Sequence, residues 1–446
     1  MTFRLPQSPP ELPTVAKMVA LAGRALGAGV AGPTARGRYL HWDELRRRPP
    51  PDGLTVEQWW STMKMARLAI AKELPQLRDR KGKPFRYCLI DSFAEALHRI
   101  DLGAGGKISL PTDLTNPDLR DRYVVSSLIE EAVNSSILEG AGTTRRIAAQ
   151  MLRSRRPPEN RGEQMVLNNY RAMEALRELR GEPMSPPLLF ELHRILTEKT
   201  LDEDDAGRLR RPEQAIVVAD DYGTVFHEPP AAGELPERLD RLCAFANEET
   251  PEGFMHPVLR AITLHFWLAY DHPFVDGNGR TARALFYWSM LRSGYWLFEF
   301  VSISHAILRA PTKYYRAFLH TETDANDLTY FMVYHLGVIE RAMNALHDYL
   351  ARKAAEIRDS ESVLRGMARL NHRQKALVAH AVRHPGFEYT IESHRTSHAV
   401  AYQTARTDLL DLVDRALLRQ HKRGRKFVFT PVPELAERLR GPGPRA

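Results

Sequence analysis

The stretch from His272 to Arg283 brings together residue types that could move a proton and bind an anion. His272 opens it, and an imidazole with an unperturbed pKa of about 6.5 can accept a proton near neutral pH. Gly277 and Gly279 follow, and glycine permits backbone conformations and close approaches that other residues do not. Successive N–H groups in such a turn form a concave binding site for anions. The sequence therefore predicts a loop that binds an anionic ligand beside a general base.

Charged side chains in the same stretch narrow the predicted ligand from anions in general to phosphates. Arg280 and Arg283 are three residues apart, so both leave the same face of a helix. The planar guanidinium of arginine suits pairs of phosphate oxygens. Asp276 lies just ahead of them, and proteins often hold Mg2+ with one carboxylate and the phosphates of a substrate. A helix that starts at this loop would add free N–H donors and about half a unit of positive charge.

Two apolar segments would hold this loop in place. Residues 257–271 ahead of it and 280–293 behind it are long enough for helices and apolar on nearly every face. Helices with this composition are usually buried. A loop with a histidine, an acid, an amide and two glycines between two buried helices is hard to explain by packing alone. The plainer alternative is a helix–turn–helix with a hydrogen-bonded, buried histidine.

The loop resembles the signature of the Fic family, His-x-Phe-x-(Asp/Glu)-Gly-Asn-Gly-Arg-x-x-Arg, at all eight specified positions. The resemblance implies transfer of AMP from ATP to a hydroxyl group of a protein. It also implies that His272 is the general base, that Asp276 holds Mg2+, and that Phe274 anchors the loop in the core. The positions that the resemblance assigns to the phosphates of ATP are Gly277, Asn278, Gly279, Arg280 and Arg283.

A segment further upstream is similar to a second pattern of this family. Residues 118–139 predict a helix that ends at Gly140, a common glycine stop. The end of this helix matches the inhibitory motif (Ser/Thr)-x-x-x-Glu-(Gly/Asn), with Ser135 and Glu139 at the specified positions. A carboxylate that reaches Arg283 would take the cation meant for the γ-phosphate of a nucleotide. The alternative is an ordinary core helix with a polar end.

Two further signals concern the target and the nucleotide. Runs of β-branched residues on either side of residues 220–223 predict a hairpin, the only strand pair expected before the C-terminal tail. In Fic proteins a similar flap aligns the target by strand addition. The flap residues concerned are Ile216, Val217 and Val218. Tyr314 and Tyr315 match a tyrosine pair that lies near the nucleotide in similar proteins, although tyrosines are also common in cores.

The C-terminal tail has a strongly basic composition. From residue 371 onward it holds 14 Lys or Arg and 7 Asp or Glu, so it carries +7 of the formal net charge of +8. Helices over 371–384, 390–398 and 402–418, followed by a basic hairpin, resemble a winged helix-turn-helix. Such a domain would place its third helix in a groove of duplex DNA and its wing on the phosphates. The candidate DNA contacts are Gln403, Thr404, Arg406, Lys422, Arg423 and Arg425.

Acidic residues in the third predicted helix leave a second interpretation of the tail open. Asp408, Asp411 and Asp414 dilute its basic face, and the same domain would then serve contact with a protein. DNA binding would release counterions and would therefore depend steeply on salt. Salt dependence thus distinguishes the two interpretations.

The composition as a whole predicts the class and the location of the protein. With 446 residues, 43% hydrophobic and 26% charged, the chain is typical of soluble globular proteins of two or three domains. Its two cysteines, Cys88 and Cys243, form no metal or redox motif, which fits a reducing compartment. The sequence contains no apolar run long enough to span a bilayer. We expect a cytoplasmic protein without membrane contact.

The predicted fold class is mainly α. Residues 1–105 form a helical N-terminal region, 106–355 the Fic catalytic domain with an inhibitory helix at 118–140, and 365–446 the winged helix-turn-helix domain. Within the first region, the Pro-, Gly- and Ala-rich residues 1–38 are expected to be loosely ordered, and residues 55–74 predict an amphipathic helix.

The predicted function is AMP transfer from Mg-ATP to a Ser, Thr or Tyr hydroxyl of a protein that the sequence does not name, or of the chain itself. Removal of AMP, or transfer of another phosphate-bearing group, is an alternative for the same site. A third hypothesis is a DNA-binding regulator that senses nucleotide without turnover. The intact His272 argues against it, because a sensor needs phosphate donors but no base. Similar proteins are often oligomers, so we also consider a homodimer.

Overall fold

The computed structural model describes residues 4–27, 29, 31–105, 117–154, 156–219, 223–249, 253–366, 370–398, 400–423 and 426–440. Two compact units make up the chain, residues 1–346 and 347–446. Helices dominate both units, which confirms the predicted fold class. In the described part of the chain, no helix is both long enough and apolar enough to cross a membrane.

The elements of the first unit are mainly helices joined by short loops, with two small antiparallel hairpins. Its helices are α1 (Val15–Gly27), α2 (Trp42–Leu45), α3 (Val56–Ile70), α4 (Asp91–Ile100), α5 (Pro117–Leu138), α6 (Arg145–Ser154), α7 (Arg161–Leu179), α8 (Pro186–Thr197), α9 (Leu235–Ala246), α10 (Pro257–Asp271), α11 (Asn278–Arg292), α12 (Ile303–Leu308), α13 (Pro311–Thr323) and α14 (Thr329–Gly366), the last of which continues past residue 346. Its strands are β1 (Ala71–Arg78), β2 (Pro84–Cys88), β3 (Val218–Ala219) and β4 (Val225–His227). Short helical turns lie at Asp101–Gly105, Ala232–Glu234 and Trp296–Glu299.

Helices α10 and α11 form the centre of the first unit and pack against each other. Four large aromatic side chains on these helices are at most 1% exposed: Phe266, Trp267, Phe286 and Trp288. Burial of one such side chain stabilises a fold by roughly 1.5–3 kcal/mol, so the pair is a rigid support. The prediction of two buried helices around the loop is confirmed. The prediction that the second helix starts at residue 280 is wrong, because α11 already begins at Asn278.

Helix α5 is fixed to this centre near its C-terminal end. The buried carboxylate of Glu131 accepts hydrogen bonds from the Ser302 hydroxyl at 2.7 Å and from the Ser304 N–H at 3.1 Å, at the start of α12. Several hydrogen bonds to one buried carboxylate hold the donor groups in position. The end of α5 therefore has a defined place beside α11.

The N-terminal region corrects three predictions. It contains the β1–β2 hairpin, so the flap is not the only strand pair ahead of the tail, and the helix predicted to residue 74 ends at Ile70. The spacing of Leu74 and Leu77 resembles a helical repeat, but both side chains pack inward from a strand. The main chain of Arg86 in β2 also bonds to residues 326 and 328, a contact that no local pattern reveals. Residues 1–38 include α1, so the expectation of loose order was wrong there.

The second unit contains the three helices and the hairpin predicted for the tail. They are α15 (His372–Arg383), α16 (Ile391–His398), α17 (Tyr402–Asp414), β5 (Leu418–Arg423) and β6 (Lys426–Pro431), followed by α18 (Leu435–Arg440). The third helix is shorter than predicted, because residue 418 already belongs to β5. Val378, Leu409, Leu412 and Phe429 share one hydrophobic cluster. The limits predicted for the domains stay a prediction.

Candidate active site

The loop between α10 and α11 begins with a backbone conformation that is unusual for a side chain of this size. His272 closes α10 in the left-handed region, at φ 45°, while its N–H still donates to Leu268 O at 3.0 Å. Residues other than glycine rarely adopt this conformation, and the surrounding structure must hold it. Arg210 does so, since its Nε donates to His272 O and its backbone N–H donates to Pro273 O, both at 2.9 Å.

The imidazole of His272 is set up as a neutral base. Its Nδ1 lies 3.3 Å from Ala269 O, and a carbonyl can only accept, so Nδ1 carries the proton. The lone pair of Nε2 is then the basic position. Burial lowers the pKa of His272 to about 4, so the ring is neutral at physiological pH.

Asn278 and Phe274 close the loop on itself. The Asn278 Oδ1 accepts from Phe274 N–H at 2.9 Å, and its Nδ2 donates to Phe274 O at 2.8 Å. Both side chains are buried. The side-chain amide of Asn278 is therefore occupied with the shape of the loop, and only its backbone can contribute to a phosphate cradle.

His193 on α8 supports the loop from below and was not singled out in the sequence. Its ring stacks on Phe274 with centroids 3.8 Å apart. Its Nδ1 accepts from Gly207 N–H at 2.9 Å, so Nε2 carries the proton and donates to Asp276 O at 2.8 Å. His193 and Arg210 belong to no recognisable motif in the sequence. Their common function as loop supports follows only from the tertiary contacts.

The two glycines of the loop have different functions. Gly277 precedes α11 with φ 82°, a left-handed conformation that favours glycine, and a Cβ there would lie 2.9 Å from Thr197 Cγ2. Gly279 is helical, but a Cβ on it would collide with the carboxylate of Glu139. The Glu139 carboxylate thus lies against the start of α11, where free N–H groups favour an anion.

Arg283 lies beneath this carboxylate and is almost fully buried. Its Nη1 is 2.9 Å from Glu139 Oε1, which is the pairing expected from the sequence. Its Nε donates to Ser135 Oγ at 2.9 Å and its Nη2 to Ser135 O at 3.0 Å. Glu139 itself lies just past the end of α5, ahead of Gly140 with φ 82°. The Arg283 guanidinium thus contacts Ser135 and Glu139, which both lie at the C-terminal end of α5.

Arg280 is also buried, but its donors are only partly used. Its Nη1 donates to Leu196 O at 2.7 Å. Among the described residues, its Nε and Nη2 have no hydrogen-bond partner, and Nη2 is 3.9 Å from Asp276 Oδ2. Buried donors without a partner are unusual in proteins. An anion at the start of α11 would supply the missing acceptors.

Asp276 is the candidate metal ligand. Its Oδ1 accepts from Gly277 N–H at 2.6 Å, and its Oδ2 lies 3.0 Å from Nη2 of Arg161. The described residues contain no cluster of three or more His, Cys, Asp or Glu side chains that could hold a metal. A single carboxylate is nevertheless sufficient for Mg2+ when phosphates and water supply the other oxygens. The donor set thus fits Mg2+ that arrives with a nucleotide.

The tyrosine pair lies on α13. Tyr314 is buried, and its hydroxyl is 2.9 Å from Nε2 of His265. Tyr315 is 44% exposed. Burial raises the pKa of both hydroxyls, and the charges of Glu139 and Arg283 also act on them. Both tyrosines therefore lie within electrostatic range of the Glu139–Arg283 pair.

The predicted flap is present but shorter than expected. Strand β3 pairs with β4, while Ile216 and Val217 precede β3 and only Val218 lies in it. Residues 220–222 lie outside the described part. His227 in β4 fixes the flap to α10, because its Nε2 is 2.7 Å from Tyr270 O.

In the second unit, two of the three acidic side chains of α17 have internal partners, while the third, Asp414, is exposed. Asp408 is buried and 2.6 Å from Arg373 Nε, and Asp411 is 2.8 Å from Arg415 Nε. The candidate contacts Gln403, Arg406, Lys422 and Arg423 are exposed, while Thr404 is half-buried and Arg425 lies outside the described residues. An ion pair joins Arg423 to Glu388 at 3.0 Å.

Residues 183–290 match the sequence model of the Fic/DOC family, and they include α10, the loop and most of α11. This segment is a Fic domain. Two curated relatives named protein adenylyltransferase Fic align with 107 residues, at 36% identity in Drosophila ananassae and 35% in Drosophila grimshawi. The aligned part is 24% of this chain and 20% of each relative, so the chain spans a fifth of the length of the curated relatives it matches.

The fold of the Fic domain extends the likeness beyond this segment. A crystal structure of a Fic family protein from Desulfovibrio desulfuricans G20 aligns with this chain. The alignment covers 78% of the residues of this chain and 98% of the residues of that protein. The TM-score is 0.55 at 19% identity, which shows a common fold. The sequence match covers α10, the loop and most of α11, and the structural likeness shows that the fold is shared over most of the chain.

Proposed function

We propose that the Fic domain transfers AMP from Mg-ATP to a Ser, Thr or Tyr hydroxyl of a protein, and that Glu139 restrains this reaction. One observation carries the proposal. The Glu139 carboxylate lies against the start of α11 and pairs with Arg283, where a phosphate would bind. The neutral His272 lies within electrostatic range of this carboxylate. The Drosophila relatives that match the domain are named protein adenylyltransferases.

In the transfer, the target oxygen forms a bond to the α-phosphorus, and the bond from that phosphorus to the bridging oxygen breaks. Nε2 of His272 takes the hydroxyl proton, and pyrophosphate leaves with the bonding electrons. Arg280, Arg283 and the free N–H groups of α11 bind the phosphate oxygens. When bound, Mg2+ on Asp276 neutralises phosphate charge. Positioning and electrostatic stabilisation supply most of the rate in such reactions.

Restraint follows from the same geometry. A γ-phosphate and the Glu139 carboxylate need the same guanidinium and the same end of α11. ATP must displace the carboxylate or bind with its phosphates shifted, and a shift of about 1 Å can reduce a rate roughly 10²-fold. The flap residues Ile216, Val217 and Val218 would align the target chain, and Tyr314 and Tyr315 would border the nucleotide.

The test is mass spectrometry of a lysate after incubation with ATP and the purified full chain. Wild type, Glu139→Gly and the double variant Glu139→Gly/His272→Ala are compared. AMP should appear on hydroxyl side chains with Glu139→Gly and should be absent with the double variant. Loss of AMP from proteins already modified, or addition of another group, would favour the alternative chemistry. No change with any variant would contradict catalysis by this site.

Duplex DNA binding by the second unit is a second candidate function. It is favoured by the internal pairing of Asp408 and Asp411, which leaves exposed cations on α17 and on the β5–β6 hairpin. Binding should weaken steeply with salt, and loss of one phosphate contact should lower the slope of log K against log salt by about one. A gel-shift series with Lys422→Ala checks this. Absence of binding at low salt would favour a protein-contact function.

A cytoplasmic location is also part of the proposal. Cys88 and Cys243 are both buried and unpaired, which is usual in a reducing compartment.

A further inference from the structure

Arg161 contacts the carboxylate that the proposed reaction needs for its metal. It is the first residue of α7, and its Nη2 lies 3.0 Å from Asp276 Oδ2 and 3.2 Å from Thr200 O. The other oxygen of Asp276 already accepts the Gly277 N–H. Protein donors thus engage both carboxylate oxygens. No sequence motif connects residues 161 and 276, which are 115 positions apart.

We propose that Arg161 competes with Mg2+ for Asp276 and thereby sets the Mg2+ concentration at which the nucleotide binds productively. The inference rests on the proposed function, because it needs Asp276 as a metal ligand. A guanidinium and a metal ion are alternative counter-charges for the same oxygen, and one must leave for the other to bind. Arg161 is thus a residue that sets metal affinity and not one that takes part in the chemistry.

The ion pair is built to be opened. The side chain of Arg161 is 62% exposed and that of Asp276 is 44% exposed. Exposed pairs contribute little to stability, because water solvates both partners well when they separate. An open cleft of about 520 Å³ lies beside the pair, lined among others by Arg161, Gln164 and Lys199. A displaced guanidinium can therefore turn into water without leaving a buried charge behind.

Arg280 shows by contrast which cation cannot leave. Its side chain is fully buried, and its Nη2 is 3.9 Å from the same Asp276 oxygen. Removing a buried arginine from its surroundings would strand unpaired groups. The positive charge of Arg280 therefore acts on Asp276 at all times, whereas that of Arg161 can be removed. Of these two arginines, Arg161 is the one that can change the metal affinity of Asp276 without a change in the core.

The main rival is that Arg161 binds a phosphate oxygen of the nucleotide. The two explanations predict opposite effects of removing the charge. Competition with Mg2+ predicts that Arg161→Gln lowers the Mg2+ requirement and leaves metal-free nucleotide affinity unchanged. A phosphate contact predicts weaker nucleotide binding with and without the metal.

The experiment measures binding of α,β-methylene-ATP, which cannot transfer AMP because carbon replaces the bridging oxygen. All variants carry Glu139→Gly, so that Arg283 is free for the phosphates. Calorimetry gives the affinity for α,β-methylene-ATP in EDTA. It also gives the Mg2+ concentration at which the strengthening of this affinity by Mg2+ is half-maximal. The variants are Arg161→Lys, Arg161→Gln and Arg161→Glu. Arg171→Gln is the matched control, because Arg171 lies on the same helix, is 49% exposed and pairs with Glu198 at 2.7 Å.

We expect half-saturating Mg2+ to fall about two- to fivefold in Arg161→Gln, the size of effect that exposed ion pairs have. It should fall further in Arg161→Glu and stay near the Glu139→Gly value in Arg161→Lys and Arg171→Gln. An unchanged or higher Mg2+ requirement in Arg161→Gln overturns the inference, and so does weaker binding in EDTA.

Asp276→Asn separates this result from failure of the proposed function. Failure of Mg2+ to strengthen nucleotide binding to the Glu139→Gly protein would show that Asp276 is not the metal ligand of the proposed function. Strengthening that Asp276→Asn leaves intact would show the same, and in either case Arg161 has nothing to compete for. If Asp276→Asn removes the strengthening but Arg161→Gln leaves it unchanged, only the inference about Arg161 fails.

Discussion

Two ion pairs flank the start of α11, and they are built in opposite ways. In the Glu139–Arg283 pair the cation is 1% exposed and the acid 30% exposed. In the Arg161–Asp276 pair both side chains are largely exposed, at 62% and 44%. In the first pair the cation, Arg283, is fixed, and the Glu139 carboxylate at the end of α5 is the partner that can leave. The second has a surface cation that water can replace. The difference indicates that the first pair can release its carboxylate and the second pair its guanidinium.

The energetic consequence differs as well. Without Glu139, Arg283 keeps the Ser135 hydroxyl and carbonyl but lacks a charge partner. A buried cation without a counter-charge is costly, so a phosphate becomes the preferred partner. Without Arg161, Asp276 faces water and needs no replacement. The buried pair should therefore control activity strongly, and the exposed pair should adjust it slightly.

The largest expected effect comes from the base between the two pairs. His272→Ala should reduce AMP transfer by about 10²–10⁴-fold, because it removes proton acceptance from the target hydroxyl. Nucleotide affinity should be unchanged, since both ion pairs and the start of α11 stay in place. The rate of labelling and the affinity for α,β-methylene-ATP are measured together. Transfer at the wild-type rate would show that the two pairs do not flank a site with His272 as its base.

The next effect sharpens the difference between the pairs. Glu139→Gly should raise the initial rate of AMP transfer, including self-labelling, by about 10²-fold if the carboxylate shifts the phosphates by about 1 Å. Labelled ATP and purified protein give this rate directly.

Two variants serve as controls for Glu139→Gly. Arg283→Ala should not activate, because it releases the carboxylate but also removes the phosphate ligand. Glu130→Gln changes an acid on the same helix that pairs with Arg145 instead, and it should leave the rate unchanged. Equal rates for wild type and Glu139→Gly would mean that the buried pair is only structural.

The support beneath the loop should have an intermediate effect. His193→Ala removes the donor to Asp276 O and the acceptor for Gly207 N–H, and we expect kcat to fall about 10- to 100-fold through misplacement of the loop. His193→Gln can restore the donor and should recover part of kcat. Both kcat and KM for ATP are measured beside the melting temperature. If glutamine gives no recovery over alanine, His193 supports the fold and not the position of the loop.

The smallest effect is expected from pH. With a His272 pKa of about 4, the base is neutral throughout the usual assay range, so the rate should change less than about threefold between pH 8 and 5.5. A base with the ordinary pKa of about 6.5 would lose about tenfold at pH 5.5. The Glu139→Gly protein is the one to assay, because its rate is high enough to follow.

The same shifts set the acid limit of stability. Between pH 6.5 and about 4, the unfolded chain protonates His272 and His193 while the folded chain does not, so the free energy of unfolding falls as the pH falls. Rates are therefore interpreted only where melting curves show a folded protein.

The sequence alone was sufficient to predict the two buried helices and the loop between them. Its apolar segments allow few other arrangements, and its glycines, acid, histidine and arginines lie within one short window, so local spacing already brings them together. It was not sufficient for the β1–β2 hairpin, where β1 carries helix-forming residues and β2 is held by main-chain bonds from Arg86 to residues 326 and 328. Such pairing depends on partners far away in the chain.

The sequence by itself predicted the eight motif positions of the loop, because they all lie between His272 and Arg283. Only the tertiary structure decided how these side chains are held and charged. It brought Arg161, His193 and Arg210 to the loop from 62 to 115 residues away and placed Glu139 on Arg283 across 144 positions. It also buried His272 so that its pKa falls. Burial and long-range contact depend on the packing of the whole unit, and no window of sequence contains that information.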